Sequence, residues 1–340
     1  MLLAFFNAAL WYNCSCMKEI VISSRDAGQK AEKFVRKYLA EAPLGFIYKA
    51  FRKKDIKANG HWIHKDYVVQ EGDVIRLYVT DQQLEDFKHP RLAEKKPFPY
   101  GIAYEDENVL IVDKPSGLLV YGDEKEKRNT LTQKVLDYLY YKDEFDPVNH
   151  AFVPAPAHRL DRNTAGLVIF AKTDAALKDL EVLFKDREDI SKKYLALVDG
   201  IVEKGGVIEK PLKKNSETGL VTVTPVSEGG KEAKTGYEPI ETFKNCTLLE
   251  CVLYTGRTHQ IRVHLASIGH PIMGDGKYGN YLDNRKFRTL YGLDYQFLRA
   301  HELTFGNLTG VLAPLSGKKF VSEVNDEEKA ILEKLRKEIR

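Results

Sequence analysis

Two stretches near the start of the chain carry apolar residues at helical spacing. Ala31, Phe34, Val35, Tyr38 and Leu39 form the first, and Leu44, Ile47, Tyr48 and Phe51 form the second, after Pro43. They predict short amphipathic helices over 31–39 and 44–51. The second runs into Arg52, Lys53 and Lys54, cations suited to the negative end of a helix dipole. The chain then passes the turn pair Asn59-Gly60 and enters WIHKDYVVQEGDVIRLYV, which reads as short strands broken at Glu71-Gly72-Asp73. A small helix-helix-hairpin domain over 17–80 follows. Residues 81–97 lack a clean period and contain two prolines, so they read as a linker. The body, 98–324, alternates strand-length apolar runs at 109–112, 167–171, 194–198 and 248–254 with helix-like stretches at 174–185 and 259–268. Glycine-rich turns such as Gly229-Gly230 favour hairpins over regular βαβ repeats. The expected fold class is therefore α+β, built on a mainly antiparallel mixed sheet. Residues 325–340 offer an N-cap, acids first and bases last, the pattern of a closing amphipathic helix.

Composition changes this picture little, and charge distribution changes it more. With 340 residues, 43% of them hydrophobic, the chain can supply a core to a large and a small domain. The formal net charge is only +3, yet Arg25–Lys65 holds eleven Lys/Arg against four Asp/Glu. The positive charge gathers in the small domain. Four cysteines, Cys14, Cys16, Cys246 and Cys251, make neither a disulfide framework nor a zinc site, which points to a reducing cytoplasm. The apolar stretch in residues 1–16 lacks a basic n-region and a cleavage pattern and is too short to span a bilayer. It is expected to be a disordered extension ahead of Met17, with no membrane role.

The chemistry concentrates in HRLDRNTAGLVIFAK, 158–172. A single carboxylate, Asp161, sits in a polar, glycine-ended loop that leads into an apolar strand. An aspartate beside two arginines is also what a surface turn with an ion pair looks like. The whole run resembles the nucleophile motif of the RluA-type pseudouridine synthases: His-Arg-Leu-Asp, two variable residues, then Thr-Ser-Gly. Here Ala165 replaces the serine and the carboxylate is intact. Three more segments resemble the family in the same order: YEDENVLIVDKPSGLLV at 104–120, KKYLALVDG at 192–200, and TGRTHQIRVHLASIGHPIMGDGKYG at 255–279. The resemblance covers about 98–320. In FIYKAFRKKDIKANG and EGDVI the N-terminal unit is similar to a small RNA-binding domain named for a ribosomal small-subunit protein.

The resemblance implies a cofactor-free isomerisation of uridine to pseudouridine in structured RNA, ribosomal RNA of the large subunit first and transfer RNA second, by a monomer. Asp161 would be the catalytic carboxylate on a flipped-out nucleotide. Arg262 would pair bidentately with it, and Tyr194 would stack on the base. Arg159 would fill the vacated position in the RNA, while His158 and Thr164 would orient the loop. Arg257, His259, Gln260, Arg52, Lys53 and Lys54 complete the expected RNA contacts. His259 and His264 are five apart, where a zinc pair on one helix face needs i and i+4, so no metal is expected. Two other classes compete: a non-catalytic RNA-binding or ribosome-assembly factor, and an N-glycosidase. The second would need another carboxylate or a metal to activate water, and none stands out beside Asp161.

Overall fold

The computed structural model describes residues 17–338, apart from 41, 81–82, 85–86, 88–92, 124–125, 127–128 and 148–149. The extension expected at 1–16 and much of the linker expected at 81–97 lie outside the described residues. The chain divides into two units, one comprising residues up to Ala93 with Asp143–Val153, the other Glu94–Lys142 with the chain from Pro154 onward.

The small unit contains β1 (Met17–Val21), α1 (Ala31–Tyr38), α2 (Leu44–Lys53), β2 (Ile56–Ala58), β3 (His61–Trp62) and β4 (Val74–Tyr78). The hairpin expected from sequence is part of a larger, four-stranded sheet of order β1-β4-β2-β3. In the β1–β4 register Ile20 lies opposite Ile75, so an alternating strand upstream of the helices completes the core side of the sheet. The helices bury Phe34, Val35, Tyr38, Ile47 and Phe51 against Ile20, Ile56, Ile75 and Leu77. Asn59 and Gly60 both have positive φ, 52° and 85°, as a tight primed turn between β2 and β3 requires. Leu84 and Phe87 pack on this core, Phe87 with its ring 4.7 Å from that of Phe46. Asp143–Val153, which sequence order assigns to the body, joins the small unit because Asp26 accepts the Phe152 and Ala151 N–H groups at 2.6 and 3.4 Å.

The large unit begins with β5 (Ile102–Glu105), β6 (Val109–Lys114), α3 (Leu131–Tyr141), β7 (Ala155–Pro156), β8 (Ala165–Ala171), α4 (Asp174–Asp186) and β9 (Ile190–Asp199). It continues with β10 (Gly206–Glu209), β11 (Leu212–Lys214), β12 (Val221–Val223), β13 (Lys234–Thr242), β14 (Cys246–Leu253), α5 (Gln260–Ala266) and α6 (Tyr281–Tyr291), and ends with β15 (Leu298–Phe305), β16 (Lys319–Val321) and α7 (Asp326–Lys337). The main sheet runs β10-β13-β14-β9-β15-β8-β6-β5, with β16 on β15 and β7 on β8. It is an α+β arrangement. The pairings are antiparallel except at β8 and β15, where Ala165 and Gly166 lie opposite Arg299 and Ala300 in parallel.

That parallel junction depends on Gly166. Its φ is 109°, and a Cβ there would meet the Ala300 carbonyl oxygen at 2.2 Å. At the same level Ala300 faces Tyr194 of β9, so one row of residues crosses three strands. On the next residue of β15, buried Arg299 donates to Glu328 at 2.8 Å and to Asp113 at 3.3 Å. Glu328 is also the N3 acid of the capping box that starts α7, whose Ile331, Leu332 and Leu335 pack on Leu197, Phe243 and Leu248.

Gly166→Ala should therefore lower stability by about 2–4 kcal/mol, read as a shift of the urea midpoint at constant slope. Arg299→Met, which leaves two carboxylates without their cation, should lower it by about 2–3 kcal/mol in the same titration.

Candidate active site

Asp161 lies in the loop between β7 and β8, just ahead of the parallel junction. The loop is a tight turn in which the Thr164 N–H donates to the Asp161 carbonyl at 3.1 Å. Three side chains pin it from outside. Lys114 Nζ donates to the Arg162 carbonyl at 3.0 Å, Ser116 Oγ to the Asn163 carbonyl at 2.9 Å, and the buried Gln296 amide to Thr164 Oγ1 at 2.9 Å. Lys114 is fully buried and also donates to the Pro115 and Leu118 carbonyls, both at 2.8 Å, which uses the three N–H groups of an ammonium. Burial pushes its pKa down to about 7. Lys114 and Ser116 belong to the DKPSG stretch of the 104–120 segment, and their bonds to the Asp161 loop emerge only in the folded chain. The available signal was a lysine closing the apolar strand 109–112, where a buried cation must find oxygen.

The Asp161 carboxylate is mostly buried, with 22% of its side chain exposed, and is held by Arg262 from α5, whose Nη1 lies 2.7 Å from Oδ2. The bidentate pairing expected between these two residues is not what the structure holds. Arg262 gives its fork to Asp275, with Nε 2.7 Å from Oδ2 and Nη2 2.8 Å from Oδ1, and spends a single bond on Asp161. Burial decides this. Asp275 has no solvent exposure and needs the fuller compensation. Its Oδ1 also accepts the Lys277 and Tyr278 N–H groups at 2.9 and 3.2 Å. Burial drives the Asp275 pKa up, but Arg262 and these two amides outweigh it and hold the acid below the usual carboxylate range. Burial likewise works against the Arg262 charge, and Asp275 and Asp161 together raise its pKa above the ordinary value. Asp275 lies in the glycine-flanked GDG of the 255–279 segment, and its pairing with Arg262 emerges only in the folded chain.

Asp161 and Tyr194 line one cleft of about 290 Å³, with Leu253 and Leu298 on its apolar side. Tyr194 is 6% exposed on β9, opposite Cys251 and Ala300. Burial and, second, the nearby Asp161 charge raise its pKa above the usual phenol range, so the hydroxyl keeps its proton at neutral pH. Arg159, Arg187, Lys192 and Arg257 also line the cleft. Cations outnumber the one lining carboxylate, giving a surface suited to a polyanion.

The remaining predicted residues separate by environment. Arg159 is exposed at the cleft and has no ion-pair partner among the described residues. His158 accepts the Ile169 N–H at 3.2 Å and sits against Phe184, and burial, with Lys192 nearby, pulls its pKa to about 3. It is neutral and fastened to β8. Thr164 is buried in the loop itself. Arg257 is exposed and reaches the Glu232 carbonyl at 2.9 Å. Gln260 was expected to contact RNA, but its amide donates to the Lys234 carbonyl and Thr235 Oγ1 and accepts from Thr255 Oγ1 and the Arg257 N–H. With 3% exposure and both ends engaged, it braces the start of α5. His259 and His264 do not share a helix surface: His259 precedes α5 in the left-handed region, while buried His264 bonds to Thr235 and the Lys210 carbonyl. Arg52, Lys53 and Lys54 are exposed at the end of α2 in the small unit, where Lys54 lies 4.9 Å from the Trp62 ring centre.

Comparison with known proteins bears on this arrangement. Residues 108–267 match the family model described as RNA pseudouridylate synthase. Ribosomal large subunit pseudouridine synthase C of Haemophilus influenzae is 32% identical over 342 residues, covering 95% of this chain and 96% of that protein. The protein of the same name from Vibrio parahaemolyticus is 34% identical over 286 residues, 82% of this chain and 85% of the relative. The solved structure of human RNA Pseudouridylate Synthase Domain Containing 4 shares the fold, with a TM-score of 0.53 at 23% identity over 69% of this chain and 93% of that one. Matching relatives over nearly their whole length, the chain belongs to the RNA pseudouridylate synthase family and is an RNA pseudouridine synthase of the RluA type.

Proposed function

We propose that this enzyme isomerises uridine in large-subunit ribosomal RNA, with Asp161 as the carboxylate that acts on the ribose of a flipped-out nucleotide. The observation that carries the reading is the Asp161 side chain itself, held by one oxygen on Arg262 inside a cation-lined cleft beside Tyr194. The names of the relatives from Haemophilus and Vibrio supply the RNA class.

A uridine stacked in RNA cannot reach a carboxylate recessed in a cleft, so it must leave the stack, at about a few kcal/mol. Arg159, exposed and uncommitted at the cleft, suits the role of occupying the space left behind, its planar head able to stack on neighbouring bases. Inside, Tyr194 offers a ring face to the base. The Asp161 carboxylate can attack C1′ as N1 leaves with the bonding pair; after the base turns, C5 takes C1′ and the carboxylate is released. A proton lost from C5 and one gained at N1 balance the step, so neither water nor a redox partner is consumed. An elimination route, in which the same carboxylate removes a ribose proton, ends at the same isomer.

Hydrolytic loss of the base would need a second carboxylate to activate water. Asp275 is the nearest candidate, and its oxygens are taken up by Arg262 and the Lys277 and Tyr278 N–H groups. The small unit is assigned to RNA binding through its basic residues, including Arg52, Lys53 and Lys54. Their exposure and the exposed Trp62 beside Lys54 support that assignment.

Asp161→Asn should reduce pseudouridine formation by at least about 10³-fold while leaving the urea midpoint nearly unchanged, and an active variant would remove the mechanism. Mapping pseudouridines across ribosomal and transfer RNA, with and without the gene, identifies the substrate; the expected loss is in large-subunit RNA. Replacing Arg52, Lys53 and Lys54 together with glutamine should lower the slope of log affinity against log salt by about 2, as loss of three phosphate contacts requires. An unchanged slope would place the RNA elsewhere.

A further inference from the structure

Two nitrogen atoms converge on the same oxygen of Asp161. Arg262 Nη1 lies 2.7 Å from Oδ2, and His259 Nε2 lies 3.8 Å from that atom. Among the described residues Oδ1 has no hydrogen-bond donor.

His259 has a φ of 53°, in the left-handed region, immediately before α5. Its ring meets Tyr278 edge-on, with centroids 5.6 Å apart, and its Nδ1 is 2.7 Å from the Tyr278 hydroxyl. That hydroxyl oxygen accepts the Val221 N–H of β12 at 3.0 Å. A backbone N–H can only donate, so the Tyr278 oxygen accepts from Val221, and its own O–H is then free to donate to His259 Nδ1. A neutral imidazole that accepts at Nδ1 carries its proton on Nε2. The opposite tautomer would turn a lone pair toward the carboxylate, so electrostatics selects the same form. Burial pulls the His259 pKa to about 4 despite the opposing attraction of Asp161, so the ring is neutral at pH 7.

We propose that His259 is a positioning residue whose Nε2–H, set by Tyr278, closes on Asp161 Oδ2 when the nucleotide enters and leaves Oδ1 as the oxygen that meets the ribose. The inference rests on the catalytic reading of Asp161. It assigns a use to Tyr278, which packs 5.1 Å from the Arg262 guanidinium carbon and has no other place in the reaction. A neutral donor steadies one carboxylate oxygen without handing it a full proton, so the anion survives for attack.

The test joins a spectrum to kinetics. Long-range proton–nitrogen NMR of the full chain labelled in histidine, with His259 assigned by its loss in His259→Gln, should show a neutral ring protonated at Nε2 at pH 7. Tyr278→Phe should give a mixture of tautomers. On a large-subunit ribosomal RNA transcript, His259→Phe should lower kcat by about 10²-fold with little change in KM, the size of a lost transition-state hydrogen bond. His259→Gln, whose amide can place a donor near the former Nε2, should stay within about tenfold of the parent. An imidazolium or an Nδ1-protonated ring at pH 7 would overturn the proposal. So would unimpaired turnover by His259→Phe, or equal damage from Gln and Phe. A parent chain inactive on the transcript would count against the proposed function alone, because the tautomer is read on the free protein.

Discussion

The site depends on one buried cation shared between two acids. Arg262 cannot leave Asp275, whose carboxylate has no solvent to fall back on, and its remaining Nη1 is what Asp161 receives. A guanidinium suits this task because its planar fork can satisfy one carboxylate with two bonds and still present a third donor in a fixed direction. An ammonium would have no such geometry. The arrangement keeps Arg262 charged and immobile before any substrate arrives, so little reorganisation is left for the reaction.

A second constraint acts on the backbone. The Asp161 loop enters the sheet at its parallel junction, where Gly166 passes so near Ala300 that no side chain fits. The same row carries Tyr194 on β9. Strand register therefore sets the level of the phenol relative to the carboxylate loop, and the Lys114, Ser116 and Gln296 bonds keep the loop at that level. Lys114 and Gln296, polar groups that would be expensive to bury alone, each find a partner in this loop, and the outcome is a preorganised acid on rigid strands.

The charge pattern complements this rigidity. Arg159, Arg187, Lys192 and Arg257 surround a cleft whose lining carboxylate is already partnered, so an incoming phosphate backbone meets positive potential on several sides. In the small unit, by contrast, Arg52, Lys53 and Lys54 sit exposed at a helix end, and the two helices bury ordinary apolar residues.

Much of the local structure was written in periodicity and punctuation. The spacing of Phe34, Val35 and Tyr38, the Asn59-Gly60 turn, the apolar runs that became β6, β8, β9 and β14, and the capping pattern from Asn325 all depend on neighbours within a few residues. Sequence motifs also singled out Asp161, Tyr194 and Arg262. What sequence could not decide were pairings between residues far apart along the chain. Arg262 forks onto Asp275 and not Asp161 because only the folded core makes Asp275 fully buried. Gln260 turns from an RNA contact into a brace because Lys234 and Thr235 arrive from another strand. The pairing of β1 with β4, the placing of Asp143–Val153 and the use of Lys114 have the same origin. Local periodicity reports which side of an element is apolar; the partner a buried charge acquires is set by which elements meet, and that is known only once the chain has folded.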